Sequence, residues 1–510
     1  MDSLMNNLRI LIITVLLIGS RACDIKTCDR PDNVTLNCEN NNCVAIPSDE
    51  TAKVVKLAHN KIKEVRTLNL PKAEEIDLSY NSIEAIQDEA FSMCKQLVRL
   101  NLGHNLVKRL EPAMFESMEN LRYLDISYNK IDQLQNDVFP MAAVDNLDTL
   151  DLSHNEMSYI HPDAFFNLNR LKDIHLEHNN LDDRTATATF FAQLLDLERL
   201  YINNNKITVL GTELFYGVFP LVEVDFSSNL IENISSSTFS GLNDLRKVNL
   251  RWNKIKVLEP KTFNQENLED LYLDNNEFEE ILPSYFKGCN AKKLSLQGLN
   301  KLAHVRNGSF AGMPRLETIE ISHCGILETI EPDAFGMDAS TVKVADLSMN
   351  SLRYLAAETL PWGQVRADLS NNPWNCDCGL EWMKEVQINY IHGNYTKCAT
   401  PKELRNKIIK EVPYDYFTCS RVHLTAMRQT SFLRRKGSML IGGLIILGVL
   451  FVTGVIVAVW GRRRRLLSQQ STTGYKALYN AVDSEDASMN VELTYTEKSK
   501  LSKEPAPVDV

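Results

Sequence analysis

The sequence predicts an α/β solenoid: a horseshoe with a parallel β-sheet on its concave face, a disulfide cap at each end and one transmembrane helix. Three observations predict it. A pattern of the form LxxLxLxxNxL recurs about fourteen times, at intervals of roughly 24 residues. Cysteine clusters flank the recurring region, from Cys23 to Cys43 and from Cys376 to Cys419. An apolar stretch without charge runs from Met439 to Trp460.

One clean copy of the pattern reads Leu121, Leu124, Ile126, Asn129, Ile131, Leu134, and the next begins at Leu147. This is the leucine-rich repeat signature, and about 13 to 14 copies occupy residues 51–372. One turn cannot bury its own apolar edge, so stacked turns must build a continuous core. The anchor asparagines follow in order: Asn60, Asn81, Asn105, Asn129, Asn155, Asn179, Asn205, Asn229, Asn253 and Asn276. The register then passes Leu299 and Cys324 and returns at Asn350 and Asn372. A buried asparagine needs partners, so a ladder of side-chain bonds to the neighbouring turn's backbone is expected. The turns at Leu299 and Cys324 each carry an extra residue before Leu302 and Leu327, which predicts an irregularity over 295–330. A phenylalanine recurs in the second half of the repeats, from Phe91 to Phe335, and predicts an aromatic spine. Cys94, Cys289 and Cys324 fall at core positions and read as unpaired buried thiols.

At the N-terminus, Arg9 precedes an apolar run from Ile10 to Ile18, and Ser20 and Ala22 supply small residues. Residues 1–22 read as a cleaved signal peptide, too short to span a bilayer. Cys23, Cys28, Cys38 and Cys43 then form an N-terminal cap over residues 23–50, with three connectivities open. Residues 373–420 form the second cap. Its "NNPWNCDCGLEWM", followed by Cys398 and Cys419, resembles the C-terminal cysteine-rich cap of extracellular leucine-rich repeat proteins. That resemblance implies pairing of Cys376 with Cys398 and of Cys378 with Cys419. A zinc site fits these four cysteines poorly, given one residue between the first two and a secretory route. Sequons at Asn33, Asn233, Asn307 and Asn394 support an outside location and glycosylation. Residues 421–438 read as a juxtamembrane linker, 439–460 as the span and 461–510 as a disordered cytoplasmic tail. Arg462 to Arg465 suit a cytoplasmic flank.

Side chains alternate along a strand, so the residue between the last two apolar positions faces the concave side. The least generic stretch of that face holds His175, Arg199, Tyr201, Lys247, Asn249 and Tyr272, with Trp252 near its rim. These are the candidate ligand-binding residues, because Tyr, Trp and Arg are enriched at binding hot spots. His59, His104, His154, His178 and His323 directly precede the anchor position, and Tyr80 and Tyr128 alternate with them. They read as ordinary repeat variants, although neighbouring histidines also raise a metal or pH-sensing reading. No HExxH, Gly-x-Ser-x-Gly or phosphate-cradling glycine loop is written in the ectodomain, so no enzyme, cofactor or metal is expected. A net charge of −11 argues against nucleic acid as a partner. In the tail, Tyr475 and Leu478 fit a tyrosine-based motif for a sorting adaptor, and the terminal Val508-Asp509-Val510 fits a PDZ groove.

The whole chain resembles single-pass, type I leucine-rich repeat cell-surface proteins. Its ectodomain is similar to those of Toll receptors, insect leucine-rich adhesion proteins and insect leucine-rich immune proteins. It departs from Toll receptors in lacking an intracellular TIR domain, and from the soluble immune proteins in having a span. The resemblance implies a plasma-membrane protein with its N-terminus outside. It would bind an extracellular protein, or a second copy of itself, as an adhesion molecule or co-receptor. The alternative is innate immune recognition of microbial molecules or immune effectors.

Overall fold

The computed structural model describes residues 23, 25–136, 138–140, 144–391 and 396–419. The signal peptide, the linker, the span, the tail with Tyr475 and Leu478, and the sequon at Asn394 lie outside the described residues. Among the described residues, no helix is long and apolar enough to cross a membrane.

Each repeat contributes a three-residue strand. In Tyr123–Asp125 the central Leu124 is fully buried, while Tyr123 and Asp125 stand half-buried on the other face. The two-residue period of a strand forces that split. Among the described residues, these strands and one from each cap form a sixteen-stranded parallel sheet in strict chain order, from Thr35–Asn37 to the two-residue Asn389–Tyr390. The return path is nearly free of helix. It runs through short turns and two-residue strands such as Gln133–Leu134, paired with Tyr159–Ile160.

The asparagine ladder is present and holds turn to turn. The Asn155 amide nitrogen donates to the Ile126 carbonyl of the preceding turn at 3.0 Å. It also donates to Leu152 and Ser153 of its own turn, at 3.1 Å each. Its oxygen accepts from the Ile131 backbone N–H at 3.1 Å. Asn60 extends the pattern into the cap, donating to the Cys38 carbonyl and accepting from the Cys43 N–H, both at 2.8 Å. Before each anchor the backbone turns left-handed, with φ between 50° and 66° from His59 to Asn371. At Gly298 a Cβ would also collide with the Asn275 amide, so glycine serves there on two counts.

The expected irregularity is confined to the turns. Ser295 pairs with Glu320 and Glu320 with Asp346, so the sheet keeps its register across the segment. The extra residues sit in tight turns closed by Leu302 N–H to Leu299 O and by Leu327 N–H to Cys324 O, at 3.1 and 2.9 Å. Leu299 is buried and offers no side-chain bond; the Cys324 thiol lies 3.4 Å from the Leu296 carbonyl. Buried Asp274 supplies a substitute, accepting from Ser295 Oγ at 2.5 Å and from the Gln297 N–H at 2.7 Å.

The phenylalanines pack ring to ring along the core, as in Phe139–Phe165 and Phe239–Phe263, at 6.0 and 5.9 Å. The turn between Phe165 and Phe215 fills the place with Phe190 and Phe191, on the short helix Ala188–Phe191. Thr187 starts that helix, its hydroxyl accepting from the Phe190 N–H. The caps are joined by disulfides: Cys23–Cys43 and Cys28–Cys38 at one end, Cys376–Cys398 and Cys378–Cys419 at the other. Cys94, Cys289 and Cys324 are free and buried, and burial pushes their thiols up to about 11, 12 and 12.

Two outcomes follow. Asn155→Ala strands the Ile126 carbonyl and the Ile131 N–H and should lower unfolding stability by about 2 to 4 kcal/mol, read from chemical denaturation midpoints. The three free thiols should stay silent to a thiol reagent at pH 8 in the native protein and all react after unfolding. A fast-reacting thiol in the folded chain would contradict the core placement.

Candidate functional site: the concave face and its rim

Six of the seven candidate residues share the concave sheet. His175 ends Asp173–His175 and Tyr201 ends Arg199–Tyr201; the two are direct register partners. Their rings stack with centroids 4.7 Å apart at 19°. Glu223–Asp225 separates them from Lys247–Asn249, which adjoins Asp270–Tyr272. Trp252 lies on the rim, as its place in the repeat predicts. Its left-handed backbone carries it off the strands onto the rim, where it is 61% exposed.

The cations of this face are already engaged. Arg199 bridges to Asp173, with Nη2 2.7 Å from Oδ2, and Lys247 donates to Glu223 Oε1 at 2.6 Å. Lys293 pairs with Glu320 at 2.7 Å, and Arg251 with Asp274. Each pair joins one turn to another, and each half-exposed pair contributes about 1 kcal/mol or less. Their larger effect is to orient side chains. Arg251 lies over the Tyr272 ring at 3.9 Å, with Lys293 also near it at 5.6 Å. Arg99 lies 4.2 Å over Tyr123. Burial pushes the Tyr201 and Tyr272 hydroxyls up, with added repulsion from Glu223 and Asp270 respectively.

The candidate set therefore misses Arg251, Lys293 and Glu177. Arg251 and Glu177 stand two residues beyond Asn249 and His175, so continuing the alternation by one step would have found both. Glu177 Oε1 lies 3.2 Å from His175 Nδ1. Burial opposes charge on His175, yet the bond and charge of Glu177, with Asp151 and Asp173, outweigh it and raise the imidazole above its usual range. Asp151 is also held up, by burial first and then by Asp125 beside it.

On the rim, the residues before the anchors form a continuous stack: His59, Tyr80, His104, Tyr128, His154, His178. Successive centroids are 4.4, 4.0, 4.0, 3.9 and 4.0 Å apart, with planes within 17°. Asn204 ends it. Parallel rings keep their nitrogen lone pairs in separate planes, so neighbours cannot converge on one metal ion at about 2 Å. The described residues close enough to share a metal are Cys23, Cys28 and Cys38, and disulfides consume all three.

Asn33, Asn233 and Asn307 are exposed and stand off the strands of the candidate site. Asn233 belongs to a separate two-stranded strip, paired with Val209.

Comparison with known proteins agrees with this geometry. The leucine-rich repeat family model matches residues 71–131, 126–181, 195–255, 244–302 and 266–326. The chain is 24% identical over 293 residues to trophoblast glycoprotein of Macaca fascicularis, covering 51% of this chain and 68% of that protein. It is 25% identical over 170 residues to human vasorin, covering 32% of this chain but 22% of the relative. It covers 38% of leucine-rich repeat-containing protein 3 of Danio rerio, at 29% identity over 102 residues. Among solved structures, a chain of the Toll–Spatzle complex of Drosophila superposes with a TM-score of 0.64 at 20% identity. That match covers 74% of this chain and 54% of the other. The fold is a leucine-rich repeat solenoid, and the chain is similar to extracellular leucine-rich repeat proteins.

The raised His175 carries a pH dependence. A pKa raised by folding contributes stability that is complete below the unfolded value, about 6.5. That contribution is lost as pH rises through the folded value. The wild-type advantage over His175→Gln in denaturation midpoint should therefore be larger at pH 5.5 than at pH 8. An equal advantage at both would refute the pairing with Glu177.

Proposed function

We propose that this chain is a single-pass type I plasma-membrane protein that binds a protein partner through its solenoid, as a cell-adhesion molecule or ligand-binding co-receptor. One observation carries the reading. Tyr201, Tyr272 and Arg251 are half-buried on a rigid sheet and already oriented by their neighbours. Aromatic and arginine anchors that lose little freedom on docking suit a protein interface. The Toll–Spatzle structure supports this, since a solenoid of the same fold is complexed there with another protein. The reading includes glycans on Asn33, Asn233, Asn307 and Asn394, and a span at residues 439–460. It also includes a tail that meets a sorting adaptor through Tyr475 and Leu478 or a PDZ domain through Val510. It assigns no catalysis to the chain.

Proximity labelling on intact cells displaying the full chain tests it. A cell-surface protein should be captured, and Tyr201→Ala and Tyr272→Ala should each weaken that capture about tenfold or more with expression unchanged. Capture that neither substitution affects would move the site elsewhere. Selective capture of bacteria or of soluble immune effectors would favour innate immune recognition over adhesion.

A further inference from the structure

The six rings of the rim stack turn their edges outward. Each sits at the same left-handed place of its turn, with φ between 50° and 57°. The ring faces are spent on one another, yet Tyr80 and Tyr128 remain 46% and 44% exposed. What meets solvent is therefore a ladder of polar tips. Among the described residues, no side-chain hydrogen bond engages any of the six. No sequon lies between Asn33 and Asn233, so this stretch carries no attachment point for a glycan. The order along the ladder is His59, Tyr80, His104, Tyr128, His154, His178. Turned end for end about its midpoint, that order sets every tyrosine opposite a histidine. Tyr80 meets His154, and Tyr128 meets His104. A tyrosine O–H donates and a neutral imidazole nitrogen accepts.

We propose that this rim is a self-complementary docking surface, on which two copies of the chain pair about a two-fold axis passing between His104 and Tyr128.

A second row supports the same axis. Three residues after the anchors come Lys63, Glu84, Lys108, Asp132, Ser158 and Asp182. The two-fold sets Lys63 opposite Asp182 of the other copy, Lys108 opposite Asp132, and Glu84 opposite Ser158. Opposite charges meet and like charges do not, which is the complementarity that fixes register at an interface. Lys108 and Asp132 are both exposed and make the stronger pair, since Asp182 is shared with Arg184. One residue after the anchors, Lys61 falls opposite Asn180, Ser82 opposite Glu156 and Leu106 opposite Lys130, again without like charges. Further round, Glu64 falls opposite Asp183, but each is already engaged, by Arg66 and Thr208 respectively. An arc turned about an axis through its midpoint lies back on itself, so the curve of a solenoid keeps the rungs in step. This is the isologous geometry of a two-fold dimer. A contact six rungs long is small, so a single pair is weak and gains strength from many copies side by side. The two-fold reverses one coil against the other and sends the C-terminal caps to opposite ends of the pair. With the span proposed above, that joins copies on facing membranes; this last step alone rests on the proposed function, and the docking does not.

Cross-linking of the purified full chain in detergent micelles tests the pairing whatever the concave face binds. His59→Cys and His178→Cys, made as separate chains and mixed, should be joined by a short bismaleimide. Neither variant alone should be, because the axis holds like ends about 24 Å apart at strand spacing. The native free thiols are buried and stay out of the reaction. Tyr80→Phe with Tyr128→Phe, introduced into both chains, keeps the rings and removes only the donors. The mixed product should then fall about tenfold or more. Lys108→Asp should lower it too, and Asp132→Lys in the same chain should restore it. Should a cysteine variant fail to fold, sedimentation decides: dimer present in the unaltered chain should be lost with the two tyrosine hydroxyls. A mixed product that is absent, or a dimer that the loss of both hydroxyls leaves unchanged, overturns the two-fold.

Discussion

The bond on which the rest depends is the anchor amide reaching across one turn to the next. An asparagine side chain offers two donors and an acceptor in one plane. At Asn155 those three functions serve two turns at once. This fixes the spacing of successive turns and so the register of the sheet. It also fixes the backbone just before the anchor, which must turn left-handed for the amide to point inward. The ring stack on the rim is a by-product of that turn. Residues at one place in successive turns lie at roughly strand spacing, about 4.8 Å. Flat rings that lean slightly meet at their van der Waals distance.

The same bond explains why the fold was legible in the sequence. Apolar letters at fixed intervals and an asparagine at a fixed offset leave one way to coil the chain. The faces of Tyr123 and Asp125 follow from alternation alone. Legibility fails where an effect is not periodic. Arg251 and Lys293 were missed because their place beside Tyr272 depends on which acid on a neighbouring turn each one pairs with. Phe190 and Phe191 were missed because their turn carries additional residues and shifts the spine. The rim rings were visible as a recurring His or Tyr; that they touch face to face depends on side-chain torsions that no spacing encodes. The N-terminal cysteines could pair in three ways by sequence, and only the folded cap joins Cys28 to Cys38 within Cys23 to Cys43.

The candidate site shows a related limit. Arg199 and Lys247 are candidate ligand-binding residues by sequence. Folded, they are neutralised by Asp173 and Glu223 on the adjoining turns. Ion pairs between turns are non-local in sequence, at separations near the repeat length, and ambiguous whenever several acids lie within reach. What remains exposed is aromatic surface braced by paired charge. Such a surface is stiff before it meets anything, and little of its binding energy is lost to ordering side chains.

The interruption at Leu299 and Cys324 has a chemical consequence. The runs on either side, through Asn276 and from Asn350, are stitched by the neutral anchor amides. Between them the work passes to two carboxylates: Asp274 accepts from Ser295 and the Gln297 N–H, and Glu320 accepts from Ser295, Gln297 and Lys293. The coil is thus held by uncharged groups along most of its length and by ionised ones at this single place.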